Sequence, residues 1–233
     1  MPVVVGTAYR KTPVFSARMT YLEFAPTWTV PPTILREDKL PAIKADPGYI
    51  AKKHFRVLQR QNNEWVEMDA SLIEWTGMRA ENFPGILRQD PGPWNPLGRV
   101  KFMFPNSFNV YLHDTNERQL FEKARRSFSS GCIRVEKPVE LAQYLLKNVD
   151  GWDSRRLAAA LQSTVSSRVD IPPLPVHIQY WTAWVDADGT VQFRPDLYFR
   201  DLDLEVALSE PDYQVETNLD VARSQQEGRE RHL

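Results

Sequence analysis

The stretch that decides how this chain is read is Ser127–Pro138, SFSSGCIRVEKP. It contains Cys132, the one cysteine in 233 residues, so an internal disulfide is excluded. A lone cysteine is ordinarily a small buried hydrophobe. The neighbours of this one argue for another use. Gly131 lacks a Cβ, so the backbone can turn sharply and a ligand can approach closely. Ser129 and Ser130 supply turn-forming hydroxyls. A thiol held on such a turn is accessible, which a nucleophile requires and a core residue does not.

A nucleophilic thiol also needs a base. The chain has four histidines, His54, His113, His177 and His232. His113 stands at the end of FNVYLHDT, where Phe108, Val110 and Leu112 alternate as in a strand. Taken alone it reads as a strand-end histidine with satisfied hydrogen bonds. Yet it lies 19 positions before Cys132, with a polar crossover and a short helical turn around Leu120 and Phe121 between them. That spacing permits the two to return to each other. His54 and His177 read as surface or strand residues.

Composition narrows the classes of function. Hydrophobic residues make up 42% and charged residues 25%, with a net charge of −1, as in an ordinary globular protein. Lys and Arg (29) balance Asp and Glu (30), which gives no pull toward nucleic acid or an anionic membrane. No run approaches the ~20 apolar residues of a membrane span. HExxH, paired cysteines, His/Asp clusters and glycine-rich loops are missing from the sequence, so no metal or cofactor is expected. The chain enters a strand at once with VVVG. A piece of a longer exported protein would begin in this way, with any signal upstream.

The pair HDT…SSGCIR resembles the signature of the L,D-transpeptidases, the YkuD-type catalytic domain. Within that family the chain is most similar to the YcbB-like murein branch. The likeness extends through VVVGTAYRKTPVFS, WTVPPTILREDKLPAIKADPGYI, DPGPWNPLGRVKFMFPNSFNVYLHDT and IQYWTAWVDADGTVQFRPDLYFRD. Many members carry a second histidine before the Gly-Cys pair, whereas here that position is Ser130, so His113 must serve the thiol alone. The resemblance implies a peptidoglycan enzyme of cell-wall biogenesis and cell shape, placed in the periplasm and open to carbapenem-type inhibitors. Cys132 would attack the meso-diaminopimelate–D-Ala bond of a tetrapeptide stem, and the thioester would pass to the side-chain amine of a neighbouring stem. A cysteine L,D-carboxypeptidase or amidase on the same fold is the alternative. A non-catalytic wall-binding module is disfavoured by the intact Cys132–His113 pair.

The roles follow from this assignment. His113 is the base and acid, forming a thiolate–imidazolium pair with Cys132. The turn N–H groups at Ser130, Gly131 and Cys132 are the oxyanion donors. A backbone carbonyl near Asp114 is implied as the group that orients His113, with the Asp114 side chain as a rival. Tyr111, on the same strand face as His113, and Arg134 are assigned with Asp114 to substrate binding. Arg134 reads equally as a carboxylate ligand or as a salt-bridge lock on the turn. Trp94 and Asn95 read as cleft rim or as Pro-rich turn structure.

The expected fold is mainly β with flanking helices, the YkuD-type β-rich fold with an inserted α/β capping segment. Strands are expected at Val3–Gly6, Met19–Phe24, Val100–Met103, Asn109–His113, His177–Val185 and Thr190–Phe193. Pro138 opens one helix and Asp153 caps another. The catalytic domain spans 1–208. Residues 33–90, with an Asn-Asn hairpin turn, read as a lid over the cleft in preference to a purely structural subdomain. Residues 209–233 read as a polar, disordered tail.

Overall fold

Residues 1–46 and 48–209 are described in a computed structural model. The chain is mainly β-sheet with a few helices, as expected. It divides into two compact units, Met1–Gln179 and a second that begins at Tyr180.

The first unit is built on a seven-stranded sheet. Its strands are β1 (Val3–Gly6), β2 (Phe15–Phe24), β7 (Val100–Met103), β8 (Leu112–His113), β9 (Ser127–Ser129), β10 (Ile133–Val135) and β11 (Ser167–Ile178). The order across the sheet is β11-β2-β7-β8-β10-β1-β9. Side chains alternate faces along a strand and share a face across a register row. One such row is Leu22, Phe102, Leu112 and Ile133. Of these, Leu22, Phe102 and Leu112 turn toward a core completed by Ala142, Leu145, Leu146 and Leu157 of two helices. The adjacent row, one residue along each strand, is Glu23, Lys101, His113 and Arg134. Alternation therefore places a line of ionisable groups on the opposite face from the core, and His113 stands between two cations.

The two helices are Pro138–Leu146, with Pro at its first position, and Ser154–Gln162, whose N-cap Asp153 accepts from the Arg156 N–H at 2.7 Å. Both were legible from these signals. Trp152, between the helices, stacks on Phe24 at 5.4 Å.

Several strand boundaries differ from the sequence expectation. β11 begins ten residues before His177 and ends at Ile178. It contains Pro172, Pro173 and Pro175, which remove ladder donors and argue against a central strand. It is tolerated because β11 is the sheet edge and its register shifts between Asp170 and Leu174. The stretch Asn109–His113 contributes only its last two residues as strand, since Asn109 takes a positive φ of 54°. β9 and β10, on either side of Cys132, are too short to leave an alternation signal.

A four-stranded sheet in the same unit has the order β3-β6-β4-β5: β3 (Trp28–Thr29), β4 (Phe55–Gln61), β5 (Glu64–Met68) and β6 (Ile86–Gln89). The β4–β5 turn is made by Asn62 and Asn63, with φ 46° and 70°, the left-handed pair that a tight hairpin demands. Helical turns over residues 32–45 and Tyr49–Lys52 complete its core with Leu35, Leu40, Ile43 and Ile50. The middle of that helical stretch, Leu35–Lys39, is π-helical.

The second unit holds the hairpin β12 (Ala183–Val185) and β13 (Val191–Phe193), turned through Gly189 at φ 87°, and a helix over Asp201–Ser209. Tyr180 Oη donates to Asp196 (2.7 Å), whose other oxygen accepts from the Asp201 N–H (2.8 Å). The sequence expectation joined β12 to β11 as one strand. The two are separate, with non-strand residues 179–182 between them. The expected polar tail lies outside the described residues apart from its first residue, Ser209.

Candidate active site

Cys132 follows the Ser130–Gly131 turn that joins β9 to β10. The turn is fixed by its own side chains. Ser129 Oγ accepts from the Gly131 N–H (3.1 Å) and donates to the Cys132 carbonyl (2.5 Å). Thr12 Oγ1 donates to the Gly131 carbonyl (2.9 Å) and accepts from the Gly6 N–H (2.9 Å), so the turn is tied to β1. Gly131 has φ +113°, a conformation that L side chains rarely adopt. Conformation and not crowding demands the glycine, because an added Cβ would meet nothing closer than 3.6 Å.

Register brings the thiol to the histidine. β8 and β10 run parallel, pairing Leu112 with Ile133 and His113 with Arg134. The Ile133 N–H donates to the Tyr111 carbonyl (3.1 Å), so Cys132 falls beside Tyr111. Tyr111, His113, Cys132 and Arg134 therefore share one face, and all four line a cleft of about 630 Å3. The 19-position separation is spanned by a 3-10 turn, Arg118–Glu122, and by β9, before the chain enters β10 parallel to β8.

His113 is buried, 4% exposed. Its Nδ1–H donates to the Asp114 carbonyl at 2.5 Å, which leaves Nε2 unprotonated in the neutral ring. The orienting group is thus the backbone carbonyl. The Asp114 carboxylate is engaged elsewhere. It accepts from the Arg99 N–H (2.9 Å) and from Arg118 (3.2 Å), and it lines a second cavity with Thr115, Arg118 and Glu136. Asp114 touches His113 through its main-chain carbonyl.

Burial pushes the His113 pKa down to about 3, with the Arg134 and Lys101 charges adding to the effect and the Asp114 hydrogen bond opposing it. Burial also pushes the Cys132 thiol up, opposed by hydrogen bonding with Tyr111 and by the charges of Lys101 and Arg134. Tyr111 is raised by burial and by the neighbouring Cys132. Burial thus works against both charges of the expected thiolate–imidazolium pair. Sγ points to the Asn109 carbonyl at 3.8 Å.

The remaining candidates fall as follows. Arg134 forms an ion pair with Glu117 and also lines the cleft. Ser130 Oγ accepts from Arg10 Nη1 (2.7 Å). Trp94 lines the cleft and stacks on His54 at 3.5 Å. Asn95 is wholly buried and bonds the Pro26 and Asp90 carbonyls, so it is a structural residue.

Sequence reading missed Arg10, Thr12 and Lys101. Arg10 joins Ser130 to Glu37 (2.6 Å) and Asp38 (3.0 Å), linking the thiol turn to the π-helical segment. Lys101 lies 4.7 Å above the Tyr111 ring and 3.1 Å from Glu23. The alternation Val100-Lys-Phe-Met103 placed Lys101 opposite the core, but its row partners appear only with the register. Among the described residues no group of three or more His, Cys, Asp or Glu side chains is arranged to hold a metal, and no helix is long and apolar enough to cross a membrane.

Comparison with known proteins matches residues 1–171 to the family model described as the L,D-transpeptidase catalytic domain, YkuD. A Haemophilus influenzae protein named "Putative L,D-transpeptidase" is 38% identical over 206 residues, covering 88% of this chain and 41% of that protein. The chain thus spans under half the length of that curated relative.

Proposed function

Because the chain belongs to the YkuD family of L,D-transpeptidase catalytic domains, we propose that it cross-links peptidoglycan through a thioester on Cys132. The observation that carries this reading is the shared face of Tyr111, His113 and Cys132 in the cleft, with His113 Nδ1–H on the Asp114 carbonyl. That hydrogen bond leaves Nε2 as the ring's acceptor toward the thiol.

The reaction starts from the neutral pair. Nε2 takes the Sγ–H proton as Sγ bonds to the carbonyl carbon between meso-diaminopimelate and the terminal D-Ala. The tetrahedral oxygen becomes an anion. The Gly131 N–H is already spent on Ser129 Oγ, so the Ser130 and Cys132 N–H groups are the turn's donors for that oxygen. Arg134 and Lys101, which favour negative charge at the thiol, favour it in this intermediate too. The C–N bond then breaks, and His113 returns its proton to the departing D-Ala amine. The side-chain amine of a second stem attacks the thioester. His113 accepts the amine proton, the C–S bond breaks, and the thiolate recovers that proton. The product is a 3-3 cross-link. Tyr111 and Arg134 border the acyl group, and residues 33–90 act as the cap. The substrate places the enzyme outside the cytoplasmic membrane.

The test is incubation with disaccharide-tetrapeptide, with products read by mass spectrometry. Cross-linked dimer and free D-Ala are expected, and Cys132→Ala should form neither. A carbapenem should add once per chain, at Cys132. Tripeptide without dimer would replace the transferase with a carboxypeptidase, and dimer formation by Cys132→Ala would remove the thiol from the mechanism.

A further inference from the structure

The wall of the cleft formed by the four-stranded sheet carries an ammonium held in an unusual setting. Trp28, Gln89 and Phe55 stand in one register row across β3, β6 and β4. Tyr49 stacks on Phe55 with ring centroids 5.9 Å apart. Lys39 places its Nζ 5.3 Å from the Trp28 ring centroid, 5.7 Å from Phe55 and 6.0 Å from Tyr49. Three aromatic faces fix a flexible side chain in place and stabilise its charge. One further contact is a long bond to Tyr49 Oη at 3.4 Å. An ammonium has three donors, so most of its donor capacity is unspent.

The acids next to Lys39 in sequence do not pair with it. Arg36 and Arg10 take Glu37 (2.9 and 2.6 Å), and Arg10 also takes Asp38 (3.0 Å). The cleft's other acid, Glu117, is paired with Arg134. Among the described residues Lys39 has no carboxylate within ion-pair distance. Lys39 ends the π-helical turn, a local geometry often kept at functional sites. The turn directs it over the three rings and into the cleft lining that also includes Cys132.

We propose that Lys39 is a carboxylate-binding residue of the cleft: the cage of Trp28, Tyr49 and Phe55 presents its ammonium to a free carboxylate of the bound stem peptide. The proposal rests on the peptidoglycan reading above and adds to it a selection for peptides whose carboxylates are not amidated. The rings hold the charge without neutralising it, whereas a protein carboxylate in their place would compete with the ligand.

The experiment uses synthetic tetrapeptide stem with free carboxylates and the same peptide with its side-chain carboxylates amidated. Binding is measured by calorimetry to the full chain carrying Cys132→Ala, so no turnover is needed. The free acid should bind about tenfold more tightly than the amide, the worth of one charge-assisted hydrogen bond. Lys39→Met, which keeps the stem over the rings, should erase that preference, and Lys39→Arg should restore most of it. The preference should also shrink as salt is raised. Retention of the preference by a Lys39→Met protein that melts like its parent would overturn the proposal, as would equal binding of acid and amide by the parent. Turnover is scored separately with Cys132 intact. If the carboxylate preference holds but no thioester or cross-link forms, the transpeptidase reading fails and the carboxylate site stands.

Discussion

Lowering the pH should cost the wild-type protein stability that a His113→Asn variant keeps. Asparagine is neutral at every pH, and its Nδ2 can still donate toward the Asp114 carbonyl that now accepts from Nδ1. In the folded wild type, burial and the flanking Arg134 and Lys101 charges hold the imidazole pKa at about 3. In the unfolded chain it is ~6.5. Between those values the unfolded chain binds a proton that the folded chain does not. The contribution is therefore fully present above pH 6.5 and is lost as the pH falls toward 3. Each unit below 6.5 costs ~1.4 kcal/mol, so at pH 4.5 the wild type should have lost about 3 kcal/mol relative to its value at pH 7.5. That is a large share of the 5–15 kcal/mol typical of a domain. Urea denaturation of both proteins at pH 7.5, 6.5, 5.5 and 4.5 reads the difference directly. Carboxylates titrate in both proteins and cancel in the comparison. A difference that stays flat with pH would mean that the folded ring takes its proton normally, and the argument for a dry site would fail.

Three further outcomes follow from the same geometry. Alkylation of Cys132 by a neutral reagent should have its midpoint above that of a free cysteine, because burial raises the thiol, and a midpoint below ~8.5 measured by mass spectrometry would restore the charged pair. Gly131→Ala should lose most thioester formation with a carbapenem and cost about 1–2 kcal/mol in urea melts, since φ +113° is strained for a side chain even where space exists; full acylation rates would mean the turn tolerates another conformation. Arg10→Ala should slow acylation while costing at most about 1 kcal/mol in urea melts, because the bonds that Glu37, Asp38 and Ser130 lose are solvent-exposed; unchanged acylation would reduce this network to a surface contact.

Local chemistry was readable without coordinates wherever one or a few adjacent residues decide the backbone. Gly131 after two serines announces a turn, Pro138 and Asp153 begin helices, and Asn62-Asn63 closes a hairpin, because each choice depends on φ, a missing donor or a capping oxygen within a few positions. The thiol turn and its histidine were named on that basis together with a family resemblance. Tertiary structure decided what depends on partners distant in sequence. Pro172, Pro173 and Pro175 can sit in β11 only because that strand is an edge, and edge position is a property of the whole sheet. The parallel pairing of β8 with β10 sets Cys132 beside Tyr111, and the row Glu23, Lys101, His113, Arg134 gathers one residue from each of four strands. Burial of His113 and Cys132 works against the charges expected from the residue types alone, since desolvation is set by everything packed around a group and not by its neighbours in the chain. Arg10 and Lys39 left no local signal for the same reason: a guanidinium that bridges to Ser130 and an ammonium over three rings are defined by segments that only folding brings together.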